Sequence, residues 1–435
     1  MGKNQLLNAQ NQSLKAEKLF RARQFKKAGK LFHRSGQIFL ELRKFEAAKD
    51  CFINSSDSFL ESEKFDTALK LYRLAAEASL RNENYLEANN LYRKALDYIP
   101  NLKRSNEQNI HYLRFSITSY LCLFIMGQQE EALDFLKRIQ KKVDTQFFLE
   151  NPFIKLATNL TIALRDKNDN SLERIKENIS NYNFNDVEIE LLKKAVMIAK
   201  CQIAPLTSFE LDKEQYTTND KINLKLILRT KPLNKIFNDE FYNYEVNNLA
   251  INKVSIHLSD NLTVSNKPRF PLKIELNNDF IIDYIIKPHF QLDKPYIGPM
   301  DLFFELNNNL LFVYSTEIIE PNILSPPASL NVSIKNLRPP LIGQTFPLEI
   351  LVENKSLGEA LDVNIDVEFP DELKIMRGTT SKQIYSLRSN EDIKWEINLK
   401  PTEAGDYTIK FIIKFTDPDQ NKVEENREFP FSVKL

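Results

Sequence analysis

The sequence contains few of the residues from which catalytic, metal-binding and phosphate-binding sites are built. Its 435 residues include nine glycines and four histidines, and no two histidines share a local metal-ligand spacing. No phosphate-binding loop, dinucleotide fingerprint, zincin helix or nucleophile elbow occurs, and a chain this poor in glycine has little material for loops that press backbone amides against a phosphate. We therefore predict a protein that is not an enzyme, with no cofactor, no metal site and no small-molecule substrate.

Cysteine and long hydrophobic runs are also scarce. The three cysteines, Cys51, Cys122 and Cys201, fall within helical patterns at no metal-ligand or redox spacing, so we expect small core residues in a reducing compartment. No stretch approaches the roughly eighteen consecutive apolar residues of a membrane span, and the N-terminus lacks the apolar run of a signal peptide. These absences predict a cytoplasmic protein.

The formal net charge of zero hides an uneven distribution along the chain. Residues 1–200 carry 33 Lys and Arg against 25 Asp and Glu, while the remainder carries 26 against 34, so the two parts stand near +8 and −8. Most of the basic excess lies in the first fifty residues. Two interpretations remain open: the basic part meets an acidic partner, or it faces the acidic part of its own chain.

What the sequence does contain is a short pattern that returns every twenty residues between Phe25 and Tyr92. An aromatic residue begins each copy, an alanine follows three places on, and a second aromatic residue follows seven places on. The three sets are Phe25, Phe45, Phe65 and Tyr85; Ala28, Ala48, Ala68 and Ala88; and Phe32, Phe52, Tyr72 and Tyr92. Because positions 0, 3 and 7 lie on one stripe of an α-helix, each copy predicts one amphipathic helix of about four turns.

The joints between the copies are short and polar, which leaves room only for tight antiparallel returns between neighbouring helices. Two such helices form a hairpin, and stacked hairpins bury one another's apolar faces in a solenoid. Less regular helical patterns continue to residue 203, as is typical of the closing end of such an array. We therefore predict an α-solenoid of antiparallel helical hairpins over residues 1–203.

Beyond residue 203 the helical period gives way to the alternation of β-strands. In Ile222–Leu228 every second residue is apolar on the same side, as in a strand with one buried face. Similar but less even runs follow, which predict an irregular β-sandwich over residues 204–324. A polar and aromatic insertion at residues 232–250 interrupts it, and we interpret this insertion as a loop in which a short helix is an option.

The alternation becomes cleaner after Ser325–Pro327, which we interpret as a stiff linker. About seven strands at regular spacing predict an immunoglobulin-like β-sandwich over residues 328–435. The single tryptophan, Trp395, is expected in its core. The predicted fold class is thus multidomain, with a helical part followed by two β-sandwiches.

The most distinctive local feature is a basic stripe on the first full repeat. It is formed by Lys26, Lys30 and Arg34, which lie one helical turn apart. More basic residues precede it. The candidate partner-binding residues are Lys15, Lys18, Arg23, Lys26, Lys30 and Arg34. An ordinary solvated helix face is one interpretation, and a docking surface for an acidic helical bundle or an anionic membrane is the other. Basic residues interleaved with acidic ones, without an aromatic and basic platform, do not favour nucleic acid.

Three strings in the repeats carry a resemblance to a known family. They are Ala28–Phe32 (AGKLF), Phe45–Phe52 (FEAAKDCF) and Asp66–Tyr72 (DTALKLY). In them the helical part resembles the soluble NSF attachment proteins, adaptors that grip SNARE bundles for disassembly. The resemblance implies a twisted sheet of tetratricopeptide-like hairpins that binds partners through a basic concave face. Helical hairpins followed by immunoglobulin-like modules are also similar in architecture to the large subunits of the TRAPP tethering complexes.

These observations predict a non-enzymatic interaction scaffold, an adaptor or tether in intracellular membrane trafficking. The expected partners are proteins, in particular acidic helical bundles of the SNARE kind or trafficking complexes. Peripheral contact with an anionic membrane is a further option, and no nucleic acid is expected. The alternative is a general assembly or regulatory scaffold with no role in trafficking.

Overall fold

A helical N-terminal part is followed by a strand-rich part, in a computed structural model that describes residues 2–101, 105–141, 151–218, 220–242, 244–289 and 294–434. The expected order, α followed by β, is confirmed. Within these ranges, no helix combines the length and the apolar character that a membrane crossing requires.

The helical part consists of helices that follow one another closely along the chain. They are α1 (Gly2–Arg21), α2 (Phe25–Glu41), α3 (Phe45–Leu60), α4 (Phe65–Arg81), α5 (Tyr85–Tyr98), α6 (Ser105–Ile125), α7 (Gln129–Gln140), α8 (Pro152–Asp166), α9 (Asp169–Glu177) and α10 (Asp186–Ile203). Short 3-10 turns lie at Ile99–Asn101 and Ile179–Tyr182. The sequence predicts a helix from about residue 145, but residues 145–150 lie outside the described residues. From α1 to α7, each helix packs against the next.

The twenty-residue repeat is a burial pattern. All four of its alanines have no exposed surface, and the second aromatic residue of each copy is at most 2% exposed. The first aromatic residue is half-buried in three copies and fully buried only at Tyr85. Small residues bring the helices close: a Cβ added at Gly36 would lie 2.7 Å from the ring of Phe52, so only glycine permits this approach of α2 to α3.

The joints between α1 and α5 share one backbone geometry. The penultimate residue of each joint has a φ between 54° and 57°, at Arg23, Arg43, Glu63 and Glu83. The last amide then donates to a carbonyl five residues back, as from Gln24 to Leu19 at 2.9 Å. This left-handed turn satisfies the last carbonyls of one helix and starts the next, which explains how so short a joint reverses the chain.

The helix α10 closes the helical part by packing against α4 and α6. Arg114 on α6 donates to the carboxylate of Glu188 on α10, with 3.0 Å between Nε and Oε1, and the Glu188 side chain has no exposed surface. Asn185 caps α10 by accepting from the Glu188 amide, and its side chain donates to Glu77 on α4 at 2.6 Å. These partners are what make the buried charges tolerable, because an unpaired charge in the same place costs several kcal/mol.

The first strand-rich region follows α10 and spans residues 207–324. Its strands are β1 (Thr207–Leu211), β2 (Gln215–Thr217), β3 (Ile222–Leu228), β4 (Leu249–Leu258), β5 (Leu262–Val264), β6 (Leu272–Lys273), β7 (Phe280–Pro288), β8 (Ile297–Leu306), β9 (Leu310–Ser315) and β10 (Asn322–Leu324). The two larger sheets have the orders β1-β3-β7-β5 and β6-β4-β8-β9, and β2 pairs with β10 in parallel. A short helix, α11 (Thr230–Phe237), occupies the start of the predicted insertion.

This first region shares one continuous hydrophobic core with the helices. The side chain of Gln202 in α10 donates to the carbonyl of Val313 at 2.7 Å, and the amide of Leu206 donates to the hydroxyl of Tyr314 at 3.2 Å. Met126, just after α6, forms a bridge with Leu311. The free edge of β9 is therefore lined by α6 and α10, and the separate limits 1–203 and 204–324 stay a prediction about domains.

The second strand-rich region, residues 330–433, has a hydrophobic core of its own. Its strands are β11 (Leu330–Asn336), β12 (Phe346–Asn354), β13 (Ala360–Glu368), β14 (Leu373–Arg377), β15 (Ser381–Leu387), β16 (Asp392–Pro401), β17 (Gly405–Thr416) and β18 (Lys422–Val433). Two sheets, β11-β12-β16-β14 and β15-β13-β17-β18, both contribute to this core. Trp395 packs against the core but is only partly buried.

The segment between the two regions is held against the second one. A Cβ added at Gly358 would lie 2.0 Å from the carbonyl oxygen of Pro326, so the chain passes over this glycine too closely for any side chain. The amide of Ser325 also lies 3.4 Å from the carboxylate of Asp419. The predicted linker Ser325–Pro327 is therefore seated on the second region.

Candidate functional site

The six residues predicted to bind a partner lie on α1, on α2 and in the joint between them, and we call them the basic cluster. Its members are Lys15 and Lys18 on α1, Arg23 in the joint, and Lys26, Lys30 and Arg34 on α2. All six side chains are exposed. None of them makes an ion pair with any residue that the structure describes. Because α1 and α2 pack side by side, the cluster occupies one end of the helical part.

The charge balance at this end differs from that of the following helices. Residues 2–41 contain nine Lys and Arg against two Glu, whereas residues 42–98 contain nine against ten Asp and Glu. Both segments are built on the same twenty-residue repeat, so the apolar pattern imposes no such difference. The excess is therefore a property of the exposed positions alone.

Equivalent positions in the repeats show where the acidic residues are replaced. The first turn of α3 has Glu46, which pairs with Lys49 at 2.6 Å, and the first turn of α4 has Asp66, which pairs with Lys70 at 2.7 Å. In α2 the same position is Lys26. A lysine here sets like charges one turn apart along the helix and also places positive charge at the positive end of the helix dipole. The stripe is thus slightly unfavourable for α2 itself.

Arg23 has a second role that the sequence did not reveal. It occupies the left-handed position of the first joint, with φ 57°. Glu63 and Glu83 occupy the same position in later joints, so the turn does not require a basic side chain. The charge at Arg23 can therefore be altered without loss of the turn, and it belongs to the exposed basic cluster.

A crevice of about 350 Å³ lies beside the basic cluster, between α1, α2 and α3. It is lined by Glu17, Phe20, Arg21, Phe32, Asn54 and Asp57. Two carboxylates face one guanidinium there, so the crevice itself does not suit an anion. Affinity for an anionic partner is confined to the exposed helix faces.

His33, on α2 next to the stripe, does not add to the positive charge at neutral pH. Burial lowers its pKa, because desolvation disfavours the charged imidazolium. Its ring lies 6.1 Å from that of Phe52, centroid to centroid. His33 is therefore a packing residue of the α2–α3 contact.

The cysteines lie in α3, α6 and α10, outside the basic cluster. The three cysteines are free and buried, as predicted, and burial raises the pKa of each thiol, which keeps the nucleophilic thiolate unpopulated. Among the described residues, no group of three or more His, Cys, Asp or Glu could hold a metal ion.

Sequence reasoning missed the buried polar cluster around Glu188. One signal for it was present, because Asn185 and Glu188 stand three residues apart before an apolar helix, which is the spacing of a capping box. Its links to Arg114 and Glu77 bridge 74 or more residues and leave no local signal.

No protein-family model matches the chain, and no curated protein matches it. Among the solved structures that match is the CARDB domain of a protein from Pyrococcus furiosus, determined in complex with di-metal ions. It is 20% identical, covers 25% of this chain and 90% of that chain, and has a TM-score of 0.20. A likeness this slight supports no inference about the fold or function of this chain.

Proposed function

We propose that the chain is a non-enzymatic interaction scaffold whose helical part binds an acidic partner through the basic cluster. One observation carries this proposal: the first repeat lacks the acidic residues that pair with cations in the next two. The resulting like-charged stripe costs α2 a few tenths of a kcal/mol per pair by itself. An anionic partner turns the same charges into favourable contacts.

The partner that suits this surface best is an acidic helical bundle. Lys26, Lys30 and Arg34 follow one another at one helical turn, about 5–6 Å apart. Carboxylates on a partner helix recur at the same interval, so several ion pairs form together. Each exposed pair contributes only about 1 kcal/mol or less, so affinity depends on the number of pairs and falls as salt screens them.

The architecture is compatible with a scaffold. We interpret the serial helices as an α-solenoid of tetratricopeptide-like hairpins, because each packs on its neighbours through a repeated stripe of small and aromatic residues. We interpret the second strand-rich region as an immunoglobulin-like sandwich, because two four-stranded sheets share one core. Both kinds of module serve mainly to present surfaces.

Within this class we propose an adaptor or tether in intracellular membrane trafficking. That narrower assignment rests on the three strings shared with the soluble NSF attachment proteins and on the architectural similarity to the large TRAPP subunits. A general assembly scaffold would use the same surface, so the identity of the acidic partner decides between the two.

The test reverses the stripe in the full chain with Lys26→Glu, Lys30→Glu and Arg34→Glu, and measures binding to a purified, acidic SNARE four-helix bundle by titration calorimetry. We expect the Kd to rise by at least about tenfold, because three attractive contacts become repulsive. For the unaltered chain we expect the Kd to rise with ionic strength.

The matched control applies the same charge change to exposed lysines of the first strand-rich region, with Lys221→Glu, Lys225→Glu and Lys273→Glu. Equal losses in the two variants would mean that only net charge matters, and undiminished binding by a folded stripe variant would overturn the proposed surface. Binding to a designed acidic bundle but not to the SNARE bundle would favour the general scaffold.

A further inference from the structure

Strand β15 (Ser381–Leu387) is an edge of its sheet and pairs only with β13. Edge strands present a row of unpaired main-chain groups, and proteins usually protect them with charges, proline or a covering segment. β15 contains no proline and only one charged residue, Lys382. It is therefore an unprotected edge.

The pairing of β13 with β15 shows which main-chain groups are free. The amide of Val367 donates to the carbonyl of Thr380 at 2.8 Å, and in an antiparallel pair such bonds recur at every second residue. The intervening residues Ser381, Gln383 and Tyr385 must then direct their amide and carbonyl groups away from β13. None of these groups has a main-chain partner in the described part of the chain.

The opposite edges of the same two sheets are protected. β18 carries Glu424, Glu425 and Glu428 as well as Pro430. Arg427 of β18 also donates to the carbonyl of Leu330 in β11 at 2.6 Å, which ties these two edges together. The contrast identifies β15 as the unprotected edge of its sheet.

The most exposed large apolar side chain of the second region lies on this edge. Tyr385 on β15 is 85% exposed, and Ile375 and Met376 on β14, the preceding strand, are 45% and 56% exposed. Solvent-exposed aromatic residues beside unpaired main-chain groups are typical of surfaces that another chain covers.

A cavity of about 350 Å³ opens beside Tyr385. Its lining consists of Asp362, Val363, Asn364, Gln383, Ile384 and Tyr385. The cavity lies along the side of β15 that faces away from the core, so a side chain of a segment that pairs with β15 has room there.

We infer that β15 binds an extended peptide segment of a partner protein by strand addition. The peptide main chain pairs with Ser381, Gln383 and Tyr385, and one of its side chains enters the cavity. Main-chain pairing supplies affinity and the cavity supplies selectivity, which is the usual division in this mode of recognition. This surface is separate from the basic cluster, so either assignment can fail alone.

The probe is a phage-displayed library of random linear peptides, selected on the immobilised full chain. Enriched peptides are then synthesised and their Kd values measured by fluorescence anisotropy. The decisive variant is Gln383→Pro, which removes an outward amide while leaving the β13 ladder intact, since that ladder uses the alternate residues. Gln383→Ala is the matched control, because it keeps the amide.

We expect the Kd of enriched peptides to rise by at least about tenfold for Gln383→Pro and by less than about twofold for Gln383→Ala. If Gln383→Pro melts early, Tyr385→Lys replaces it, since an edge lysine blocks strand addition without altering the backbone. Bound peptide should slow amide hydrogen exchange in residues 381–387 and leave β18 unchanged.

Four outcomes would overturn this inference. The first three are the absence of any enriched sequence, equal affinity for the Pro and Ala variants, and exchange protection that maps elsewhere. Sedimentation that shows dimers of the unaltered chain and monomers of Gln383→Pro would also overturn it, because a second copy would then cover β15. Peptide binding that persists in the Lys26, Lys30 and Arg34 reversal variant would show that the two surfaces are independent.

Discussion

The two strand-rich regions have similar strands but differ in what covers their sheets. Residues 330–433 enclose a core between their own two sheets, whereas the core of residues 207–324 is continuous with that of the helices. Gln202 and Leu206 also donate to Val313 and Tyr314 at this junction. Alternation of apolar residues thus specifies that a sheet has a buried face without specifying the covering element. The second region thus has a core to itself, and the first region shares its core with the helices.

The two cores should unfold in different ways. A continuous core couples its elements, so the helices and the first region should melt together, while the second region melts separately. A substitution in one region can therefore be compared with a matched substitution in the other.

The largest effect is expected from removal of a central ring in either core. Phe304 is 1% exposed and stacks on Phe312 at 4.8 Å, and Phe411 is fully buried and meets Phe429 at 5.2 Å. Each Phe→Ala change should lower stability by about 3–5 kcal/mol. Phe304→Ala should shift the helical signal in far-UV circular dichroism, and Phe411→Ala should shift only the transition of the second region. If the thermal transition of the helical signal were unchanged in Phe304→Ala, the shared core would be contradicted.

A smaller effect is expected at the contact between α10 and the first region. Tyr314→Phe removes the acceptor for the fully buried amide of Leu206, which should cost about 1–3 kcal/mol in the first transition. Tyr407→Phe is the matched change in the second region, where an exposed hydroxyl donates to the carbonyl of Glu403 at 3.0 Å. Calorimetry measures the change in Tm for both variants. Equal changes would mean that the hydrogen bond from the Leu206 amide contributes no more to stability than the exposed hydrogen bond of Tyr407.

The smallest effect is a change in pH dependence. Burial raises the pKa of Glu77, and Glu188 adds to the rise, while Arg73 and Asn185 oppose it. A raised folded-state pKa means that the stabilising contribution is complete below the ordinary value of 4.5 and is lost as pH rises through the folded-state pKa.

Glu77→Gln stays neutral, so its first-transition Tm should depend less on pH in the range above 4.5 than that of the unaltered chain. Glu353→Gln in the second region is the control, because that carboxylate has a lowered pKa from its hydrogen bond with Lys355 and is open to solvent. A Glu77→Gln variant with an unaltered pH profile would show that Glu77 stays charged throughout.

The helices of the repeat were predictable because their signals are local. Aromatic and alanine residues at fixed spacing define a stripe, in which the alanine and the second aromatic residue are buried in every copy. The left-handed turns were not predictable, since Arg23 and Glu63 stand where glycine is the usual signal. Their geometry follows from the packing of the helices on both sides.

The location of the basic cluster could be predicted, but its lack of ion pairs could not. Whether a cation is paired depends on residues far away in sequence, as Lys194 shows by its contact with Glu83 at 2.8 Å. The same holds for β15, whose edge position depends on the order of the whole sheet. Local sequence patterns therefore predict helices and strands, whereas the pairing and exposure of surface groups depend on residues that are distant in sequence.

The close passage of Pro326 over Gly358 makes position 358 sensitive for the way the two strand-rich regions are joined. The segment Ser325–Pro327 rests on the second region there, and the Ser325 amide also contacts the Asp419 carboxylate. Even the methyl group of an alanine at position 358 would displace this segment, because the added Cβ would lie 2.0 Å from a main-chain oxygen.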